Sequence, residues 1–161
     1  MKKILIISIS WTLAVLSMVL IFAFSSENSD KSSQTSSQVV EDVLKIPLPD
    51  EQVTPQLVKK FDMPMRKVAH FSIFAMLGFF IVNALNVTFK KRYLLMCGIA
   101  MIFSVLYAIS DELHQKFVDG RVMSFWDVII DSIGAVFGIL FYSLIMFIIV
   151  KIKAKNNKII N

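Results

Sequence analysis

The chain has 161 residues, 56% of them apolar and only 18% charged, and its mean hydropathy is +0.68. A soluble domain of this size must keep a polar surface, so this balance excludes an ordinary soluble fold. The net charge of +5 is concentrated at the chain ends and in one short turn, a pattern of membrane topology and not of a nucleic-acid surface. The single Cys97 lies in an apolar run and excludes an internal disulfide, and no Cys/His spacing for zinc is present. Residues 1–161 read as a single domain.

Four runs are long enough to cross about 30 Å of hydrocarbon, which takes roughly 18 or more apolar residues. They cover about 4–24, 68–89, 93–110 and 125–150. The predicted fold class is therefore an all-α membrane protein, a four-helix transmembrane bundle. The first run follows Lys2 and Lys3 and ends in Ala23-Phe24-Ser25. That ending is like a signal-peptide cleavage site, but the apolar stretch exceeds the about 7–15 residues of a signal core. An uncleaved anchor is predicted.

Between the first and second runs lies a polar segment, 25–67. It opens Ser-rich, passes through Val39-Val40-Glu41-Asp42-Val43-Leu44, a weakly amphipathic turn or two, and is punctuated by Pro47, Pro49, Pro55 and Pro64. A short helix is predicted over 54–61, with Pro55 at its first turn. The segment is expected to lie on the membrane surface or cap the bundle. Basic residues then set the orientation. Lys2 and Lys3, the turn Lys90-Lys91-Arg92, and Lys151, Lys153, Lys155 and Lys158 share one side of a four-span chain. That side, with both termini, is predicted to be cytoplasmic. Segment 25–67 and the loop 111–124 are then outside.

Charged groups are costly inside a span, so ionisable residues in apolar surroundings are candidates for function. Here they gather at the predicted outer ends of three spans. Arg66, Lys67 and His70 start the second; Asp111, Glu112, His114 and Gln115 end the third; Arg121 follows in the loop; Asp127 and Asp131 start the fourth. Asp127, Asp131, Gly134 and Gly138 form one helical stripe, and the GxxxG pair within it invites close approach of a neighbouring helix. Met101, Ser104, Ala108, Asp111 and Gln115 form a similar stripe, and His70 shares a face with Phe74, Leu77 and Gly78. The three stripes are expected to converge.

The same residues carry a resemblance. Tyr107-Ala108-Ile109-Ser110-Asp111-Glu112-Leu113-His114-Gln115, with Arg121, Ser124, Asp127 and Ile133-Gly134-Ala135 downstream, resembles the VanZ-like family, named for an accessory teicoplanin-resistance protein. Arg66-Lys67-Val68-Ala69-His70-Phe71 and Phe24-Ser25-Ser26 are two further blocks in family order. The chain departs from the family at Glu27, often Gln; at Ile73 and Phe74, often an acid and a Tyr; and at Asp131, usually Asn. The resemblance implies a link to glycopeptide resistance without a settled reaction. By analogy it implies a membrane enzyme that modifies or exchanges lipid headgroups.

Phosphodiester transfer needs a base or nucleophile and cations that hold the phosphate charge. His70, Asp111, Glu112, Gln115 and Arg121 are the candidate catalytic residues. His70 would act as base or nucleophile, and Asp111 would orient it or bind a cation. Arg66, Lys67, Ser25, Ser26, His114, Asp127 and Asp131 are candidate substrate-binding residues. Asp111, Asp127 and Asp131 are hard oxygen donors of the kind Mg²⁺ or Ca²⁺ takes. The partner expected is a membrane lipid or a lipid-linked cell-wall precursor, not nucleic acid. The alternative is a non-enzymatic membrane protein that binds a cell-envelope ligand or excludes amphiphilic antibiotics. A transporter is the weaker third reading, because four short spans with no charge at mid-bilayer offer no obvious pathway unless the protein oligomerises.

Overall fold

The computed structural model describes residues 1–89 and 92–160, with side chains to residue 157. The turn residues Lys90 and Lys91 and the side chain of Lys158, used above for orientation, lie outside the described residues. Five α-helices follow in chain order: α1 (Lys2–Ser25), α2 (Ser29–Leu44), α3 (Pro55–Phe89), α4 (Tyr93–Gln115) and α5 (Phe125–Ile160). There is no strand among the described residues. Helices α1, α3, α4 and α5 are each long and apolar enough to cross a membrane, and the chain is a multi-pass membrane protein.

Helix α3 is the hub and packs against all four other helices. It has 35 residues and is therefore about 50 Å long, well beyond the about 30 Å of hydrocarbon. Counting back from Phe89, about 28 Å of helix reaches His70. The part from Pro55 to Lys67 projects beyond the apolar layer. The predicted short helix over 54–61 is thus not separate; it is the first part of α3. Thr54 caps it, its Oγ1 accepting from the Leu57 amide at 3.3 Å. Pro64 removes one main-chain donor inside the helix without ending it.

The Ser-rich segment is also more ordered than its sequence implies. In place of a turn or two, α2 runs for 16 residues. Asn28 caps it by accepting from the Lys31 amide at 2.9 Å. Buried Ser36 and Val40 form its inner face. The projecting part of α3 supplies the partner: Asp62 accepts from Ser33 at 2.9 Å, from Ser37 at 3.4 Å and from Ser36. One carboxylate gathers three hydroxyls of α2.

Glycines set the closest helix contact. A Cβ on Gly134 or Gly138 of α5 would collide with the carbonyls of Phe71 or Ala75 in α3, and one on Gly78 would strike that of Ala135. The two main chains touch, as small residues at membrane-helix interfaces permit. Phe74, Leu77 and Val82 are fully buried beside this seam. The stripe of α4 is inward from Ser104 through Ala108 and Asp111 to Gln115, whereas Met101 is exposed. Side chains fasten the helices near the termini-bearing end: Trp11 donates to Thr88 at 3.0 Å, Asn83 to Ser10 at 3.0 Å, and Tyr93 to Ser143 at 2.6 Å.

Overpacking a seam generally costs about 1–3 kcal/mol, occasionally more, and main chain cannot yield as a side chain does. Gly138→Val is expected to cost at least that much, seen as a lowered unfolding temperature in detergent. Gly98→Ala is the control, because its added methyl meets nothing within 4 Å. It is expected to leave that temperature unchanged or raise it.

Candidate functional site

The register of the glycine seam builds the centre of the site. Gly134 sits on Phe71, so Asp131, one turn earlier on α5, is brought beside His70. His70 Nδ1 lies 3.8 Å from Asp131 Oδ2, too far for a hydrogen bond. Asp131 is fully buried, at 0% exposure. Neither of its oxygens, nor His70 Nδ1, has a hydrogen-bond partner among the described residues.

Asp111 completes the group from α4. Ligand atoms of His70, Asp111 and Asp131 lie within 4.8 Å of one another. Unlike Asp131, Asp111 is held: its Oδ2 accepts from Ser25 at 2.8 Å and from Gln115 at 2.9 Å. Ser25 is the last residue of α1, so the end of that helix is tied to the end of α4. Phe74, at the position where a Tyr is common in the resembled family, is fully buried with its ring 6.3 Å from that of Tyr107.

Glu112 points away from this group. It is 1% exposed and accepts from the Ser124 amide at 2.8 Å. Ser124 in turn accepts from the Asp127 amide at 3.4 Å, capping α5. Adjacent residues on a helix diverge by about 100°, which is why Asp111 and Glu112 serve different neighbours. Asp127 stands apart as well. It pairs with Lys67 at 3.0 Å, both side chains more than a third exposed, so it is not part of the carboxylate group. Of the expected Asp111–Asp127–Asp131 set only Asp111 and Asp131 come together, and His70 stands beside them in place of Asp127.

Arg121 organises the loop between α4 and α5. Gly120 precedes it at φ 73°, a left-handed turn that suits glycine. The guanidinium donates to Glu27 O at 3.1 Å, to Phe24 O at 3.2 Å and to Gln115 Oε1 at 3.4 Å. Burial, followed by repulsion from Arg66, lowers its pKa, while Asp111, Glu112 and Glu27 oppose the shift. Arginine remains charged nonetheless. Arg66, half-buried, has no ion-pair or side-chain hydrogen-bond partner among the described residues. Ser26 and His114 lie to one side, their side chains 3.1 Å apart, with the His114 ring 4.7 Å from that of Phe22.

Two cavities meet here. A polar one of about 250 Å³ is lined by Arg66, Lys67, His70, Gln115, Arg121 and Asp131, among others. An apolar groove of about 180 Å³ runs between α1, α2 and α3, lined by Ile21, Phe24, Val39, Met65 and Ile73. Arg66 and His70 belong to the walls of both.

A protein-family model described as VanZ/LLP1 matches residues 10–147. The chain belongs to the VanZ family. The match reaches all four apolar helices, covering α3 and α4 whole and α1 and α5 in part, and includes every residue of the site just described. No curated protein and no solved structure matches the chain. Within this VanZ chain, sequence had singled out His70, Asp111 and Asp131, and they do meet. It did not identify Asp62, whose three serine partners lie in another helix.

An intramolecular hydrogen bond contributes about 0.5–1.5 kcal/mol net, and the bond from the half-buried Ser124 amide to Glu112 is of this kind. Glu112→Ala is expected to lower stability by that amount and to speed hydrogen exchange at the Ser124 amide, while the amides of Ser104 to Ala108 keep their protection.

Proposed function

We propose that this VanZ-family protein binds a phosphorylated lipid in the outer leaflet of the plasma membrane and exchanges or modifies its headgroup ester. One observation carries the reading: a polar cavity with three cationic side chains shares its Arg66–His70 wall with an apolar groove. That pairing fits an amphiphile whose anionic end and apolar end bind side by side. Arg66 is the clamp, because Arg121 and Lys67 already have partners, and a guanidinium can hold two phosphate oxygens at once. The basic residues at the opposite helix ends support the extracytoplasmic placement.

In the exchange, an incoming hydroxyl attacks phosphorus while the bond to the departing alcohol breaks. The proton of the attacking hydroxyl passes to the His70–Asp111–Asp131 group and returns to the departing oxygen. Gln115 and Ser25 hold Asp111 in place. Such activity at the cell surface would alter the target or the access of glycopeptide antibiotics.

A second reading has an observation of its own. Glu112 and Arg121 are occupied in fastening Ser124 and the end of α1, so part of the polar cluster is structural. This favours a protein that holds a cell-envelope ligand, a lipid-linked precursor among them, without turning it over.

The test is turnover of a labelled phospholipid by purified protein, beside the lipid profile of cells with and without it. A charge-assisted hydrogen bond contributes about 1.5–3 kcal/mol, so Arg66→Ala is expected to reduce turnover about ten- to a hundredfold, and His70→Ala to abolish it. Stoichiometric binding without product decides for the second reading. Full activity in both variants excludes chemistry at this site. Sidedness has its own assay: with Cys97 replaced, Asp119→Cys is expected to react with a membrane-impermeant maleimide in intact cells, and labelling only after lysis would reverse the orientation.

A further inference from the structure

We infer that His70, Asp111 and Asp131 form a binding site for one divalent transition cation, of the Mn²⁺ or Zn²⁺ kind. The site belongs to the cavity of the proposed headgroup reaction, yet cation binding is measured without lipid, so the two can fail separately.

Three observations combine. The donor atoms come from three helices and lie within 4.8 Å of one another. Donors around one ion at about 2.1 Å stand about 3–4 Å apart, so the group needs to contract only slightly. Asp131 is fully buried, with neither oxygen hydrogen-bonded among the described residues. A bare buried carboxylate is costly, and the imidazole at 3.8 Å is too distant to hydrogen-bond it. A cation between them would be coordinated by both. Finally, Asp111 is prepared as a ligand: Ser25 and Gln115 bind its Oδ2, orienting the carboxylate as outer-shell partners orient metal ligands.

The donor set names the class of ion. Mg²⁺ and Ca²⁺ take oxygen ligands; an imidazole nitrogen among the donors moves the preference toward Mn²⁺ or Zn²⁺. Three protein ligands leave positions open toward the cavity, as in catalytic sites. The three side chains would then act on an attacking hydroxyl through the ion, which makes a bound oxygen more acidic.

The experiment uses the full chain in zwitterionic nanodiscs, stripped with chelator and titrated with MnCl₂. Free Mn²⁺ is followed by electron paramagnetic resonance. One Mn²⁺ per chain is expected, displaced by Zn²⁺. Asp131→Asn and His70→Ala are expected to abolish it, and Asp119→Asn, an exposed acid at the same end, to retain it. Gln115→Leu is expected to weaken binding about 10- to 100-fold, as loss of outer-shell support does. Should Asp131→Asn fail to fold, the unfolding temperature of the wild-type chain provides a second measurement: Mn²⁺ must raise it, and must not raise that of His70→Ala. No stoichiometric Mn²⁺ or Zn²⁺, or undiminished binding in Asp131→Asn or His70→Ala, overturns the inference.

Discussion

The main-chain contact between α3 and α5 is the constraint on which the rest depends. Three glycines let the two helices touch, and side chains at those positions would separate them. The contact also fixes rotation and translation, because Gly134 fits on Phe71 and Gly138 on Ala75. With that register set, His70 and Asp131 are neighbours without any bond between them having to hold the helices together. A weak polar pair can then occupy a buried position, because apolar packing and backbone fit supply the stability.

The two buried carboxylates are arranged in different ways. Asp111 belongs to a connected set, from Ser25 through Gln115 to Arg121 and on to the carbonyls of Phe24 and Glu27. Its orientation is determined by the ends of α1 and α4 together. Asp131 has no such set and lies beside His70 and Asp111 at the cavity wall. A hydrogen-bonded carboxylate is fixed and a bare one is available, and the pair thus combines a rigid group with one left open to a ligand.

Sequence made the spans legible because twenty apolar residues in a row have few other uses in a protein. It also made the α5 stripe legible, since helical spacing puts Asp131 on the same face as Gly134 and Gly138. What it hid were interactions set by tertiary fit. Serine has little intrinsic drive toward helix and competes for backbone hydrogen bonds, so the polar segment showed only the last turn or two of the 16-residue α2. That helix depends on Asp62, distant in sequence. Likewise helical spacing turns Glu112 away from Asp111 toward the loop, but it does not name the partner of Glu112 or of Asp127. Only the loop path from Gly120 to Ser124 gives one to an amide and the other to Lys67. A charge count can locate a polar layer, but the partners within it follow from where loops return.

If the ligand is the lipid proposed above, the shared wall of groove and cavity has a kinetic meaning. A molecule that reaches His70 along the groove between α1, α2 and α3 can arrive sideways, without first leaving the bilayer for water. Encounter then becomes a search in two dimensions, governed by surface density and not by bulk concentration. Under those terms weak intrinsic affinity suffices for high occupancy, since the membrane has already gathered the ligand and aligned its long axis.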